Sequence, residues 1–134
     1  MATHAVTSQD FNQVVESNDL VFVDFWATWC GPCRAFGPTF EKASEANPDV
    51  YFAKVDIDQN PDLATAAKVQ AVPTLIVVKK QQIIFQQAGA LRASDLDDLI
   101  SQAKALDMDA AASDGDTASS GDAKVKTPSS QSER

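Results

Sequence analysis

Apolar and polar positions alternate between two rhythms along the first hundred residues, and the rhythm names the element. Val6 is the last residue of a short run from Thr3 that reads as an edge strand. From Ser8 to Glu16, Phe11, Val14 and Val15 recur at helical spacing, with Thr7 or Ser8 as a candidate cap. "LVFVDFW", Leu20 to Trp26, is almost unbroken in its apolar character and rich in Val and Phe. Such a run predicts a central strand buried on both faces. Phe36, Phe40 and Ala43 share one face of a helix over 34–46, which has Pro38 inside it; a proline there removes a backbone donor and bends the helix. "VYFAKVDI", 50–57, is a second inner strand. A helix follows, with Asn60 as its cap and Pro61 in its first turn, running to about Lys68. "TLIVVK", 74–79, and "QIIFQQ", 82–87, are strands joined at Lys80-Gln81. The last helix starts at Ser94, with Leu96, Leu99, Ile100, Ala103 and Leu106 in register.

The order β-α-β-α-β-α-β-β-α predicts an α/β fold. Its first three strands should be parallel with right-handed crossovers, and the closing hairpin should be antiparallel. The result is a mixed five-stranded sheet with helices on both faces. From Met108 to Arg134 the pattern stops. Ser, Ala, Asp and Gly dominate, aromatics are absent, and Val125 is the one β-branched aliphatic residue. Such a segment cannot bury enough apolar area to offset the entropy of ordering it, so 1–107 is expected to fold and 108–134 to be a disordered, solubilising tail.

Composition narrows the partners. A net charge of −8 argues against a nucleic-acid partner, which requires a basic face. No apolar run approaches the ~20 residues of a membrane span. "MATHAVTSQDF" lacks the basic start and apolar stretch of a secretory signal. The expectation is a soluble cytosolic protein without nucleic-acid or membrane partners. In that compartment thiols stay reduced and structural disulfides are rare.

Both cysteines lie in "WCGPC", 29–33. A zinc site needs four ligands, and two Cys with the lone His4 do not supply them within one chain; His4 reads as an ordinary surface residue. A disulfide spanning two residues closes too short a loop to stabilise much. A reactive pair fits the setting. Cys30 falls where a buried strand meets a helix, whose free N–H groups and positive dipole end stabilise a thiolate. Cys33, one turn on, can reach a mixed disulfide. Pro32 occupies the first turn, where its missing donor is harmless, and stiffens the link. Asp24, six residues before Cys30 in an apolar strand, would be costly to bury ionised and unpaired.

"FVDFWATWCGPCRAFGPTFEKAS" resembles the active-site block of the thioredoxin family. The similarity continues in "FAKVDIDQNP", "VPTLIVVK" and "GAL", covering residues 4 to 106. The resemblance implies a thioredoxin-like fold and reduction of protein disulfides by dithiol–disulfide exchange. It makes Cys30 the nucleophile and Cys33 the resolving thiol, with Asp24 buried behind Cys33 as a proton-transfer group and Lys54 beside Asp24. It implies a cis Pro73, with the backbone of Val72 free to pair with an extended client. Trp29 would cover the thiols, and Gly31 and Gly89 would allow close backbone approach. It also implies clients that carry disulfides, re-reduction by an NADPH-dependent, flavin-containing thioredoxin reductase, no cofactor on this chain and a monomer. Two departures touch turn geometry and contact surface: "KKQQ" replaces a glycine-bearing hairpin turn, and Ala71 stands where glycine often precedes the proline loop. Two alternatives stay open, a disulfide oxidase or isomerase and a scaffold subunit without turnover.

Overall fold

The computed structural model describes residues 2–108. The chain divides into two units, Met1–Lys104 and Ala105–Arg134. The tail expected from Met108 onwards falls, beyond that residue, outside the described residues. The elements run β1 (Thr3–Ala5), α1 (Phe11–Ser17), β2 (Leu20–Trp26), α2 (Gly31–Ala46), β3 (Tyr51–Asp56), α3 (Pro61–Ala66), β4 (Thr74–Lys79), β5 (Gln82–Ala88) and α4 (Ala93–Ala105). The sheet order is β1-β3-β2-β4-β5. β1, β2 and β3 are parallel, while β4 is antiparallel to both β2 and β5. The sequence pattern anticipates the element order along the chain, these strand directions and the central place of β2; the lateral order of the strands comes from the structure.

The period of two along β2 sorts its side chains. Val21, Val23 and Phe25 join Ile76, Val78 and Val55 in one apolar layer, against which Phe11, Val14 and Leu63 of α1 and α3 pack. Leu20 and Phe22 face the opposite layer, with Phe36 and Phe40 of α2 and Leu96 and Ile100 of α4. Phe40 stands edge-on to Phe52 at 5.2 Å between ring centres. Asp24 is the next residue on the α2 side after Phe22, so alternation alone turns a carboxyl into the core.

Of the expected caps, Thr7 closes the turn that leads into α1, its Oγ1 accepting the Asp10 N–H at 3.3 Å, while Ser8 does not cap α1 and Asn60, which precedes α3, makes no side-chain capping bond. Asn60 Oδ1 instead accepts the Ser8 N–H at 2.9 Å, and Asn60 Nδ2 donates to the Asp56 carbonyl at 3.1 Å. Ser8 Oγ donates to Asp62. The polar side chains that could cap their own helices tie two segments 52 positions apart, and α1 starts at Phe11 rather than Ser8. α3 ends at Ala66, short of Lys68, because Lys68 takes a left-handed conformation with φ 60°.

The far edge of the sheet carries strain. Lys80 and Gln81 connect β4 to β5 with φ of 49° and 68°. Two positive φ values in a two-residue loop make a type I′ turn, which glycine favours at its second position. Non-glycine residues in this region cost about 1 kcal/mol each. Gln81→Gly is therefore expected to stabilise the fold by about 1 kcal/mol and raise the melting temperature by about 4–8 °C for a domain of this size. A thermal scan that finds no rise contradicts this account of the turn.

Candidate active site

β2 ends at Trp26, in the middle of the sheet, and α2 begins five residues later. The connection is tight: Ala27 is buried and its carbonyl accepts the Cys30 N–H at 3.3 Å. Cys30 is the N-cap of α2, in extended conformation, and its Sγ accepts the Cys33 N–H at 3.1 Å. A side chain that closes a helix start is usually an oxygen; here a sulfur takes that place. Gly31 and Pro32 fill the first turn. Cys30 and Cys33 are joined by a disulfide, with 5.3 Å between their Cα atoms. Both are 5% exposed and lie in an apolar cluster with Ala27, against Trp26, Ile57 and Val72.

The facing wall is the loop before β4. The Val72–Pro73 peptide bond is cis. The Val72 carbonyl oxygen lies 3.5 Å from Cys30 Sγ. Pro73's carbonyl accepts the Gly89 N–H at 2.7 Å, and Gly89 has φ 103°, a conformation that suits glycine and strains other residues. Gly31 has open space where a side chain would project.

Asp24 is 1% exposed, and neither carboxylate oxygen has a hydrogen-bond partner among the described residues. It stands in register between Lys54 on β3 and Leu75 on β4. Burial raises its pKa to about 7, against the lowering effect of Lys54. A carboxyl at a strand end facing solvent would behave otherwise. Lys54 is half-buried, with its Nζ 5.1 Å from the centre of the Trp26 ring. It lines an open cleft of about 630 Å³ together with Trp26, Cys33 and Arg34. The cleft connects solvent with Cys33 and with Lys54, the cation that acts on Asp24 among the described residues.

Trp29 is 65% exposed, and its indole Nε1 donates to Asp58 Oδ2 at 2.9 Å. His4 is exposed and stacks on Tyr51, 4.6 Å between centres. Among the described residues no group of three or more His, Cys, Asp or Glu is placed to hold a metal. Sequence reasoning passed over two site neighbours, Asp58 and Arg34. Arg34 Nη1 donates to the Thr28 carbonyl at 2.8 Å. Neither falls on an apolar face or in the cysteine motif, so periodicity gave no signal for them.

The known proteins to which this chain is similar are consistent with each other. The family model described as Thioredoxin matches residues 2–102. "Putative thioredoxin 2" of Streptomyces coelicolor is 50% identical over 108 residues, 81% of each chain. The thioredoxin of Mycoplasma pneumoniae is 36% identical over 102 residues, 76% of this chain and 100% of that one. Among solved structures, a mutant thioredoxin from Halobacterium salinarum superposes with a TM-score of 0.74 at 34% identity, over 78% of this chain and 93% of that one. Oxidised mitochondrial thioredoxin 3 of Saccharomyces cerevisiae gives 0.68 at 37% identity, over 75% and 93%. With a cysteine pair at a helix start and a thioredoxin sheet around it, the chain belongs to the thioredoxin family and is a thiol–disulfide oxidoreductase that reduces protein disulfides.

Proposed function

We propose that the chain is a general cytosolic reductant of client disulfides, an electron carrier in which Cys30 attacks and Cys33 resolves. The observation that carries the assignment is the Cys33 N–H directed at Cys30 Sγ at the first turn of α2. In the reduced protein, that donor and the helix dipole favour the thiolate on Cys30 over Cys33. The Cys30 thiolate attacks one sulfur of a client disulfide; a mixed disulfide forms and one client thiolate leaves. Cys33 gives its proton to Asp24 and attacks Cys30 Sγ. The Cys30–Cys33 bond forms, and the second client sulfur leaves as a thiolate and takes a proton. Two electrons have passed to the client.

Asp24 suits this proton transfer because a pKa of about 7 lets it accept and return a proton near neutral pH. Lys54 tunes it. The Val72 backbone, beside Cys30, receives an extended client as an added strand. Trp29, Gly31, Pro32, Pro73 and Gly89 shape the surface that the client meets. Re-reduction by a flavin-containing, NADPH-dependent thioredoxin reductase completes the cycle, with the chain acting as a monomer that binds no cofactor itself. No helix among the described residues is long and apolar enough to cross a membrane. Residues 108–134 serve as a solubilising tail beyond the catalytic domain.

Direction follows from what lies between the thiols. Gly31 and Pro32 bring no charge that would further stabilise the reduced pair. The expected reduction potential is near the ~−270 mV of thioredoxin itself. Equilibration with glutathione or dithiothreitol buffers measures it. A potential nearer the ~−120 mV of strong oxidants would make the chain an oxidase instead.

A further inference from the structure

Trp29 is an exposed indole, and burial does little to fix it. Two polar contacts from outside its own loop do. Asp58 accepts its Nε1–H at 2.9 Å, and Arg34, the residue after Cys33, donates to the carbonyl of neighbouring Thr28 at 2.8 Å. Asp58 is itself anchored. Its N–H donates to Asp56 Oδ1 at 2.9 Å, and Asp56 stands opposite Trp26 in the β2–β3 register. The ladder extends one step further, with the Ile57 N–H on the Trp26 carbonyl at 3.0 Å, and Ile57 packs against the cluster of Ala27, Cys30 and Cys33. The loop after β3 is therefore pinned to the loop after β2 at Trp26 and at Trp29, and Arg34 holds the same β2 loop at Thr28.

We propose that Asp58 and Arg34 are positioning residues that hold Trp29 in a fixed orientation as a docking plate for protein clients, and so set affinity for folded disulfide substrates. The proposal rests on the reading of Trp29 as part of the client surface. An indole with two free side-chain torsions must be ordered when a client binds. One already ordered by a charge-assisted hydrogen bond incurs less of that cost, which is the gain from preorganisation. Arg34 acts on the backbone of Thr28, the residue before Trp29, and Asp58 on the ring itself. A small disulfide makes little use of such a plate, because it needs only access to Cys30.

Affinity and chemistry separate in the test. In Asp58→Ala, KM for the disulfides of insulin is expected to rise about five-fold with kcat nearly unchanged, while the rate with the small disulfide 5,5′-dithiobis(2-nitrobenzoate) stays within two-fold of wild type. Asp58→Asn keeps a side-chain oxygen for the indole and is expected to restore KM to within about two-fold. Arg34→Met is expected to raise KM in the same direction. In a Trp26→Phe background Trp29 is the one tryptophan, and Asp58→Ala is expected to lower its fluorescence anisotropy. The proposal is overturned if KM for insulin is unchanged in Asp58→Ala, if both substrates slow equally, or if anisotropy does not fall. Failure of the underlying redox reading looks different, because wild type would then reduce neither substrate through Cys30.

Discussion

Cys30→Ser is expected to lose turnover of disulfide substrates by about three orders of magnitude or more, leaving only background exchange. The attacking species is a thiolate, and a serine hydroxyl in the same place stays protonated at neutral pH, so no mixed disulfide can begin. The fold should be little affected. Oxygen takes the place of a sulfur that caps α2 through the Cys33 N–H, and serine is among the better residues for that task. The loss is thus expected without unfolding, which a thermal scan alongside an insulin-reduction assay checks. Substantial residual turnover would move the nucleophile to Cys33 and reverse the assigned roles.

The second large effect belongs to Asp24 and is read as stability against pH. In the unfolded chain its carboxyl ionises near 3.8, in the fold near 7. Below about pH 4 it is protonated in both states and adds no pH dependence. Between about pH 4 and 7 the folded chain holds a proton that the unfolded chain has released, so stability falls as pH rises. Above 7 the full penalty is present, about 4 kcal/mol from a shift of this size. Asp24→Asn, neutral at every pH, removes that slope. The variant is expected to be more stable than wild type by about 4 kcal/mol at pH 8.5 and by about 1.5 kcal/mol at pH 5. Denaturant unfolding at the two pH values measures the difference, and equal slopes for the two proteins would refute the buried-acid account. The same variant should resolve mixed disulfides more slowly, since Cys33 loses its proton acceptor. A group retained at such a cost to stability is best explained by what it does in the reaction.

What the sequence made legible depended on how local the cause was. β2, β4 and the hairpin turn at Lys80-Gln81 follow from runs of neighbouring residues, and β4 begins and ends where the run does. The place of the cysteines at a helix start follows from a buried strand running into a helical pattern. The buried position of Asp24 was open to reading from its apolar neighbours, because strand alternation is a near-neighbour property. Its missing hydrogen-bond partners were not, since they depend on what β3 and α2 bring alongside. The caps at Ser8 and Asn60 show the limit. Each has the right residue type, but its polar atoms are taken by a segment on the other side of the domain. Lys68 ended α3 early through a backbone conformation that its side chain does not announce. Asp58 and Arg34 act on Trp29 and its loop through contacts fixed by the fold, 29 positions away in the case of Asp58.

Trapping tests the central claim, that Cys30 attacks and Cys33 resolves, most directly. Cys33→Ser, incubated with a disulfide-bearing client and then alkylated, is expected to accumulate a covalent client adduct on Cys30, identified by mass spectrometry of the peptide containing residues 29–33. Attack still proceeds in this variant, but the second thiol that would release the client is gone. If Cys33→Ser carries no more client than wild type, or if adducts form at Cys33 in Cys30→Ser instead, the division of labour between the two sulfurs is wrong.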